Sequence, residues 1–184
     1  MDLLLILPLL LLLAVLLWAV WVFNRLVRDR NQVRAGWADI DVQLTRRHDL
    51  VPQLVAAVQG YASHERTLLE AVTELRTQAV GLDSPARLAA VEGAMEQALS
   101  RVFALKENYP DLKASENFLK LQSELVAVED HLQYARRFYN GAVRQYNTRI
   151  QSIPDLIVAR AFSFREAEFY EAGDRAAPRV EGLG

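Results

Sequence analysis

The chain opens with one uninterrupted apolar run. Residues 3–23 include no charged residue, no hydroxyl group and no amide. As an α-helix rising about 1.5 Å per residue, the run is about 31 Å long, close to the roughly 30 Å hydrocarbon core of a bilayer. A cleaved signal peptide is the alternative, but its apolar centre is shorter and it ends in small residues, whereas this run ends in Trp18, Trp21 and Phe23. The pattern favours a transmembrane anchor over residues 1–23.

Basic residues lie on one side of this run only. None precedes it, and four arginines follow it within about a dozen positions. Because basic residues favour the cytoplasmic side, we expect the N-terminus outside and the rest of the chain in the cytoplasm. The expected membrane-interface residues are Trp18, Trp21, Arg25, Arg28 and Arg30, with membrane lipid as their partner.

Beyond the anchor, apolar residues recur every three or four positions, which indicates helices. The spacing predicts three long helices, over about 24–80, 85–109 and 115–153, and a short C-terminal one near the aromatic residues Phe162 to Tyr170. The connections left between the long helices, about 81–84 and 110–114, are short, and short connections make neighbouring helices antiparallel. The predicted fold class is all-α: an N-terminal transmembrane helix, an elongated antiparallel helical bundle with coiled-coil spacing over 24–171, and a flexible tail over 172–184.

Pro52 interrupts the first of these long helices. Proline inside a helix removes a backbone hydrogen bond and bends or breaks the helix. The apolar spacing keeps its phase across Pro52, which favours a kinked but continuous helix. A break near residues 49–52, with Asp49 as the cap of a new helix, would instead give a four-helix bundle.

Two charged residues, Arg47 and Glu65, lie on the apolar seam of the first long helix. An unpaired buried charge is costly, so each must find a partner or face another molecule. One interpretation is that partners on neighbouring helices fix the register of the bundle. The other is that Arg46, Arg47, Asp49 and Glu65 contribute to a protein-docking surface.

Composition argues against several classes of function. The chain has 21 basic and 23 acidic residues and a net charge of −2, without the basic excess of a nucleic-acid binder. It has no cysteine and no glycine-rich phosphate loop. His64-Glu65 resembles the start of a zinc-protease motif, but Leu68 occupies the position of the second histidine. We therefore expect no enzyme, no catalytic residue, no metal, no cofactor and no small-molecule substrate.

Six stretches of the chain resemble the LemA family in order and spacing. They are NRLVRDRN at 24–31, IDVQLTRRHDL at 40–50, GYASHE at 60–65, YPDLKA at 109–114, NFLKLQSEL at 117–125 and YNGAVRQYN at 139–147. The resemblance implies a bacterial inner-membrane, single-pass protein with a helical bundle, and it supplies no catalytic residues. Some members are linked to membrane metalloproteases, TPM-domain proteins or magnetosome membranes.

The function expected from these observations is a membrane-anchored, non-enzymatic scaffold or adaptor. Its bundle would lie at the cytoplasmic face and associate with a second copy or with a membrane-protein partner. A membrane-shaping or lipid-organising oligomer is the alternative, and an unrecognised enzyme is the least supported one.

Overall fold

A computed structural model of the chain describes residues 2–171, and its side chains from Ile6 onward. This part contains six α-helices and no strand, which confirms the all-α prediction. The helices are α1 (Asp2–Gln59), α2 (Arg66–Ala79), α3 (Pro85–Ala104), α4 (Pro110–Lys113), α5 (Glu116–Gln151) and α6 (Asp155–Ala161). The predicted flexible tail, residues 172–184, lies outside the described residues.

Helix α1 continues through Pro52, so the alternative of a break at 49–52 is wrong. Pro52 itself is exposed, whereas Leu50, Val51 and Leu54 around it are buried. A proline in a helix interior costs about 3 kcal/mol, and burying one large aliphatic side chain returns roughly 1.5–3 kcal/mol. Burial of the three neighbours is therefore sufficient to keep the helix continuous.

The expectation of one helix to residue 80 is also wrong, because α1 ends at Gln59 and α2 begins at Arg66. Glycine lowers helix stability, and Gly60 lies at this point. The carbonyl of Val58 accepts hydrogen bonds from the backbone N–H groups of both Tyr61 and Ala62, at 3.0 and 2.9 Å. This turn changes which positions of the apolar pattern face the core: Ala62 and Leu69 are buried, whereas Tyr61 is exposed.

Helix α3 begins at Pro85, as predicted, and the residues around this position account for the start. Gly81 has a positive φ of 92°, which suits the end of α2. The side chain of Ser84 accepts a hydrogen bond from the backbone N–H of Arg87, and Pro85 is the first helical residue. Helix α3 ends earlier than predicted, at Ala104, because a 3₁₀ turn over Leu105–Glu107 precedes Pro110.

The chain divides into two compact units. Among the described residues, unit 1 contains 2–38 and 137–167, which are the first part of α1, the end of α5 and α6. Here α1 and α5 approach closely at Gly36, since a Cβ atom there would lie 3.1 Å from the Cα of Tyr139. The rings of Trp37 and Tyr139 meet beside it, with centroids 5.5 Å apart.

The C-terminal part of unit 1 differs from the sequence prediction. The short helix α6 ends at Ala161, and residues 164–171 have no regular secondary structure. Side chains of α5 hold this segment: the hydroxyl of Tyr146 donates to the carbonyl of Arg165 at 2.9 Å, and the amide of Asn147 both donates to and accepts from the backbone of Ala167, at 2.9 Å each. The aromatic residues therefore follow the helix rather than form it.

Among the described residues, unit 2 contains 39–136 and 168–171. Its core comes from the end of α1, from α2 and α3, and from the first part of α5. In the part of α5 that belongs to this unit, the apolar residues that recur every three or four positions are buried from Phe118 to Ala135, as that spacing predicts. In α3 the pattern differs: Glu92 is fully buried and its neighbour Val91 is only half-buried.

Candidate functional site

An ion cluster is buried in unit 2, centred on Arg47 of α1. The guanidinium of Arg47 donates through Nη1 to Glu92 of α3 at 3.0 Å, and through Nη2 to Glu129 of α5. The side chain of Arg47 is 2% exposed and that of Glu92 is fully buried. Charged hydrogen bonds in such surroundings are strong, and the loss of either partner leaves an uncompensated buried charge.

Other groups extend this cluster. The second carboxylate oxygen of Glu92 lies 2.6 Å from Nε2 of His48. Arg136 of α5 places Nη1 3.5 Å from Oε1 of Glu129, and its guanidinium carbon lies 5.4 Å from the ring centre of Tyr170. The carbonyl of His48 accepts a hydrogen bond from Arg76 of α2 at 2.7 Å. The cluster therefore joins α1, α2, α3, α5 and the segment after α6.

Burial decides the electrostatics of this cluster. Removal from water lowers the pKa of Arg47, and the neighbouring carboxylate of Glu92 raises it in opposition. Burial also raises the pKa of Tyr170 to about 12, although the nearby charge of Arg136 opposes the change. Two arginines facing two buried or half-buried carboxylates give a balanced cluster, which suits a structural connection.

The structure separates the four residues predicted for register or docking. Arg47 is buried, whereas Arg46 and Asp49 are exposed on α1. Glu65 lies in the turn before α2, where it accepts a hydrogen bond from the hydroxyl of Tyr109 at 3.2 Å. Glu65 thus lies apart from the Arg47 cluster, in its own contact with the connection between α3 and α4.

Sequence reasoning missed the partners of Arg47. Glu92 was overlooked because Val91, one position away, fits the three–four spacing of α3 equally well as a buried residue. Glu129 is followed directly by Asp130 and His131, and adjacent positions of a helix point in different directions, so the sequence does not single out Glu129 as the partner. A signal was available: a buried arginine on one helix requires acidic residues on the others.

Unit 1 has a second polar site, a cleft of about 470 Å³. At its base Asp29, only 3% exposed, pairs with Nε of Arg149 at 3.0 Å and accepts from Gln145 at 3.3 Å. Arg25 lies over the ring of Trp21, with its guanidinium carbon 5.2 Å from the ring centre. The lining residues are Trp21, Asn24, Arg25, Arg28, Asp29, Gln32, Gln145 and Arg149.

The cleft brings together three of the five predicted membrane-interface residues, namely Trp21, Arg25 and Arg28. Arg30 lies elsewhere, with its guanidinium carbon 5.2 Å from the ring centre of Phe164, and Trp18 is half-buried. Three arginines against one carboxylate leave the cleft positive. Guanidinium and amide groups in this arrangement can hold a phosphate or another anion.

Neither site suggests a metal centre. No group of three or more histidine, cysteine or acidic side chains suited to a metal ion occurs in the part of the chain that the structure describes. His48 contacts Glu92, but Arg47 occupies the other carboxylate oxygen of that residue.

The fold and both sites define a helical protein with one helix long and apolar enough to cross a membrane, found near the N-terminus of the described residues. A profile of the LemA family matches residues 36–181. The chain therefore belongs to the LemA family, as the sequence motifs indicated.

The sequence identity between this chain and individual relatives is low. The chain is 26% identical over 155 residues to protein LemA of Metamycoplasma hominis, a match that covers 82% of this chain and 69% of the relative. It is 24% identical over 181 residues to magnetosome protein MamQ 2 of Paramagnetospirillum magneticum, and 22% identical to magnetosome protein MamQ of Magnetospirillum gryphiswaldense. Both of these matches cover 83% of this chain and 66% of the relative.

We predict that Arg47→Met destabilises the protein by roughly 3–5 kcal/mol, because the buried carboxylate of Glu92 loses its ion pair with the guanidinium of Arg47. The double variant Arg47→Met/Glu92→Met removes both charges and is expected to recover most of that loss. Urea unfolding of the purified protein measures both values.

The exposed pair Arg66–Glu70, with an Nε–Oε1 distance of 2.7 Å, is a matched control for this cycle. Arg66→Met should change stability little, because exposed ion pairs contribute little. A double variant no more stable than Arg47→Met would contradict the structural account of the cluster.

The raised pKa of Tyr170 predicts a loss of stability at alkaline pH. Below about pH 10 the phenol is neutral in both states. Between about pH 10 and 12 the unfolded state loses this proton while the folded state keeps it, so the free energy of unfolding falls as pH rises. Tyr170→Phe should flatten the profile in this range, whereas Tyr61→Phe, at an exposed position, serves as the control. Parallel profiles for the wild type and Tyr170→Phe would contradict the prediction.

Proposed function

We propose that this protein is a membrane-anchored, non-enzymatic scaffold that presents helix faces for protein association. The observation that carries the proposal is a sector of α5 in unit 2 where three large apolar side chains are exposed alongside the polar side chains of Ser123 and Asp130. Leu119, Val126 and Tyr134 are 45%, 49% and 67% exposed, and their spacing places them within about 80° of one another around the helix. Large apolar side chains grouped on a surface favour association with another protein.

The anchor of this scaffold is the apolar part of α1. Most of its large side chains from Ile6 to Leu17 are at least half exposed, as expected of a segment surrounded by lipid. We place the N-terminus outside and the bundle on the cytoplasmic side of a bacterial inner membrane. The distribution of arginines after the run supports this orientation.

The polar residues of α1 take separate roles in this proposal. Arg47, buried between α3 and α5, fixes the register of the helices of unit 2 through its two carboxylate partners. Arg46 and Asp49 are exposed on the same helix and are available to a docking partner. Glu65 orders the turn between α1 and α2 through its contact with Tyr109.

The first test is the mass of the protein after gentle extraction from native membranes, with identification of co-purifying proteins. We expect either a homo-oligomer or a stoichiometric partner. Leu119→Glu/Val126→Glu should reduce that assembly, because it places two charges in an apolar contact. The control Ala94→Glu/Gln97→Glu adds the same charge at exposed positions of α3.

The outcomes of this test are distinct. Loss of the assembly in the α5 variant alone supports association through this face. A wild-type monomer without partner would overturn the scaffold proposal. An assembly that survives the α5 variant would show that another surface is responsible.

The positive cleft of unit 1 favours a second candidate function, the organisation of anionic lipid. Trp21, Arg25 and Arg28 follow or end the apolar run, at the level expected for lipid headgroups. Each arginine near an anionic surface contributes about 1 kcal/mol of attraction. In this alternative, oligomers of the chain gather such lipids around their anchors.

Native mass spectrometry of the protein with mixed neutral and anionic lipids tests the cleft. Arg25→Gln/Arg28→Gln should retain fewer anionic lipids than the wild type, since two guanidinium groups of the cleft are lost. The control Arg34→Gln/Arg101→Gln removes the same charge at exposed positions that do not line the cleft. Equal loss in both variants would mean that only net charge matters and would contradict a specific site.

A further inference from the structure

The connection between α5 and α6, helix α6 itself and the residue after it carry apolar side chains that the core of unit 1 leaves uncovered. Ile153 is 82% exposed, the highest value among the large apolar side chains that the structure describes. Ile157 of α6 is 63% exposed and Phe162, directly after α6, is 60% exposed. We call these three residues the α6 patch. Such exposure in water is unfavourable and indicates a contact with another apolar phase.

The register of α1 and α5 gives the level of this patch along the anchor. The two helices run in opposite directions in unit 1: Trp37 faces Tyr139, and Asp29 faces Gln145 and Arg149. One position toward the N-terminus of α1 thus matches one position toward the C-terminus of α5. Asp29 is level with position 147, midway between Gln145 and Arg149. Phe23 comes six positions before Asp29, and Ile153 comes six positions after 147, so Phe23 and Ile153 lie at the same level.

Aromatic contacts place the other end of the patch at the same level. The ring centroid of Phe162 lies 4.8 Å from that of Phe23, the last residue of the apolar run. The ring centroid of Phe164 lies 5.7 Å from that of Phe23, at the same end of the apolar run. The α6 patch is therefore beside the end of the predicted transmembrane segment, and Trp21 lies within one helical turn of that point.

We propose that the α6 patch is a second membrane contact, with Ile153, Ile157 and Phe162 inserted among the lipids at the interface beside the transmembrane helix. The occupant is lipid, because the patch adjoins the last residue of a segment that lipid surrounds. Apolar side chains of interfacial helices enter the boundary of headgroups and acyl chains by roughly 5–10 Å. The proposal rests on the membrane anchor described above.

The experiment uses the full chain in liposomes. Because the sequence has no cysteine, Ile157→Cys gives a single site for an environment-sensitive fluorophore. We expect its emission to shift to the blue relative to a polar environment and to be quenched by lipids that carry a nitroxide on the acyl chain. Val42→Cys is the matched control, since Val42 is 62% exposed on α1 in unit 2.

Each outcome has one meaning. Quenching by nitroxide lipid at position 157 but not at position 42 supports the proposal. A blue shift at 157 without quenching by lipid would indicate a protein contact and would overturn it, as would a fluorophore in water at both sites. Flotation of the same liposomes reports separately on the anchor: protein that floats without quenching at 157 refutes the second contact only, and protein that fails to float refutes the anchor.

Discussion

The buried guanidinium of Arg47 is the constraint on which unit 2 depends. Removal of a charge of this kind from water is costly, and the cost is met only when α3 supplies Glu92 and α5 supplies Glu129 at the correct height. Apolar contacts between helices tolerate small shifts along the axis, whereas a buried ion pair does not. The register of at least three helices is thereby coupled to a single side chain.

Unit 1 repeats this principle in a different setting. Asp29 is buried just beyond the apolar run, and Arg149 of α5 provides its counter-charge. The pair connects the antiparallel helices α1 and α5 at the level where α1 passes from apolar to charged sequence. A buried ion pair therefore forms the base of the cleft that also contains the half-buried Arg25 and the exposed Arg28, so that charges with different surroundings are close neighbours.

The sequence predicted the helices of this fold well and their pairing less well. The Gly81–Pro85 signals and the α5 seam act through local backbone preferences and periodicity, which can be recognised without a structure. The break at Gly60 was missed because the apolar spacing continues across it. Pairing such as Arg47 with Glu92 depends on how separate helices meet, and the neighbouring Val91 gave an equally good local pattern. The α6 patch was hidden because exposure cannot be read from apolar identity alone.

The way in which Asn147 and Tyr146 hold the segment after α6 has a consequence for its evolution. All three hydrogen bonds end on backbone groups of Arg165 and Ala167, so they place no demand on which side chains these residues carry. Substitutions at these positions leave the bonds in place, except for proline at 167, which has no backbone N–H to donate to Asn147. A deletion or insertion of one residue, however, would move the backbone of Ala167 away from the amide of Asn147. Positions 165 and 167 are thus open to change in sequence, whereas the segment is restricted in length.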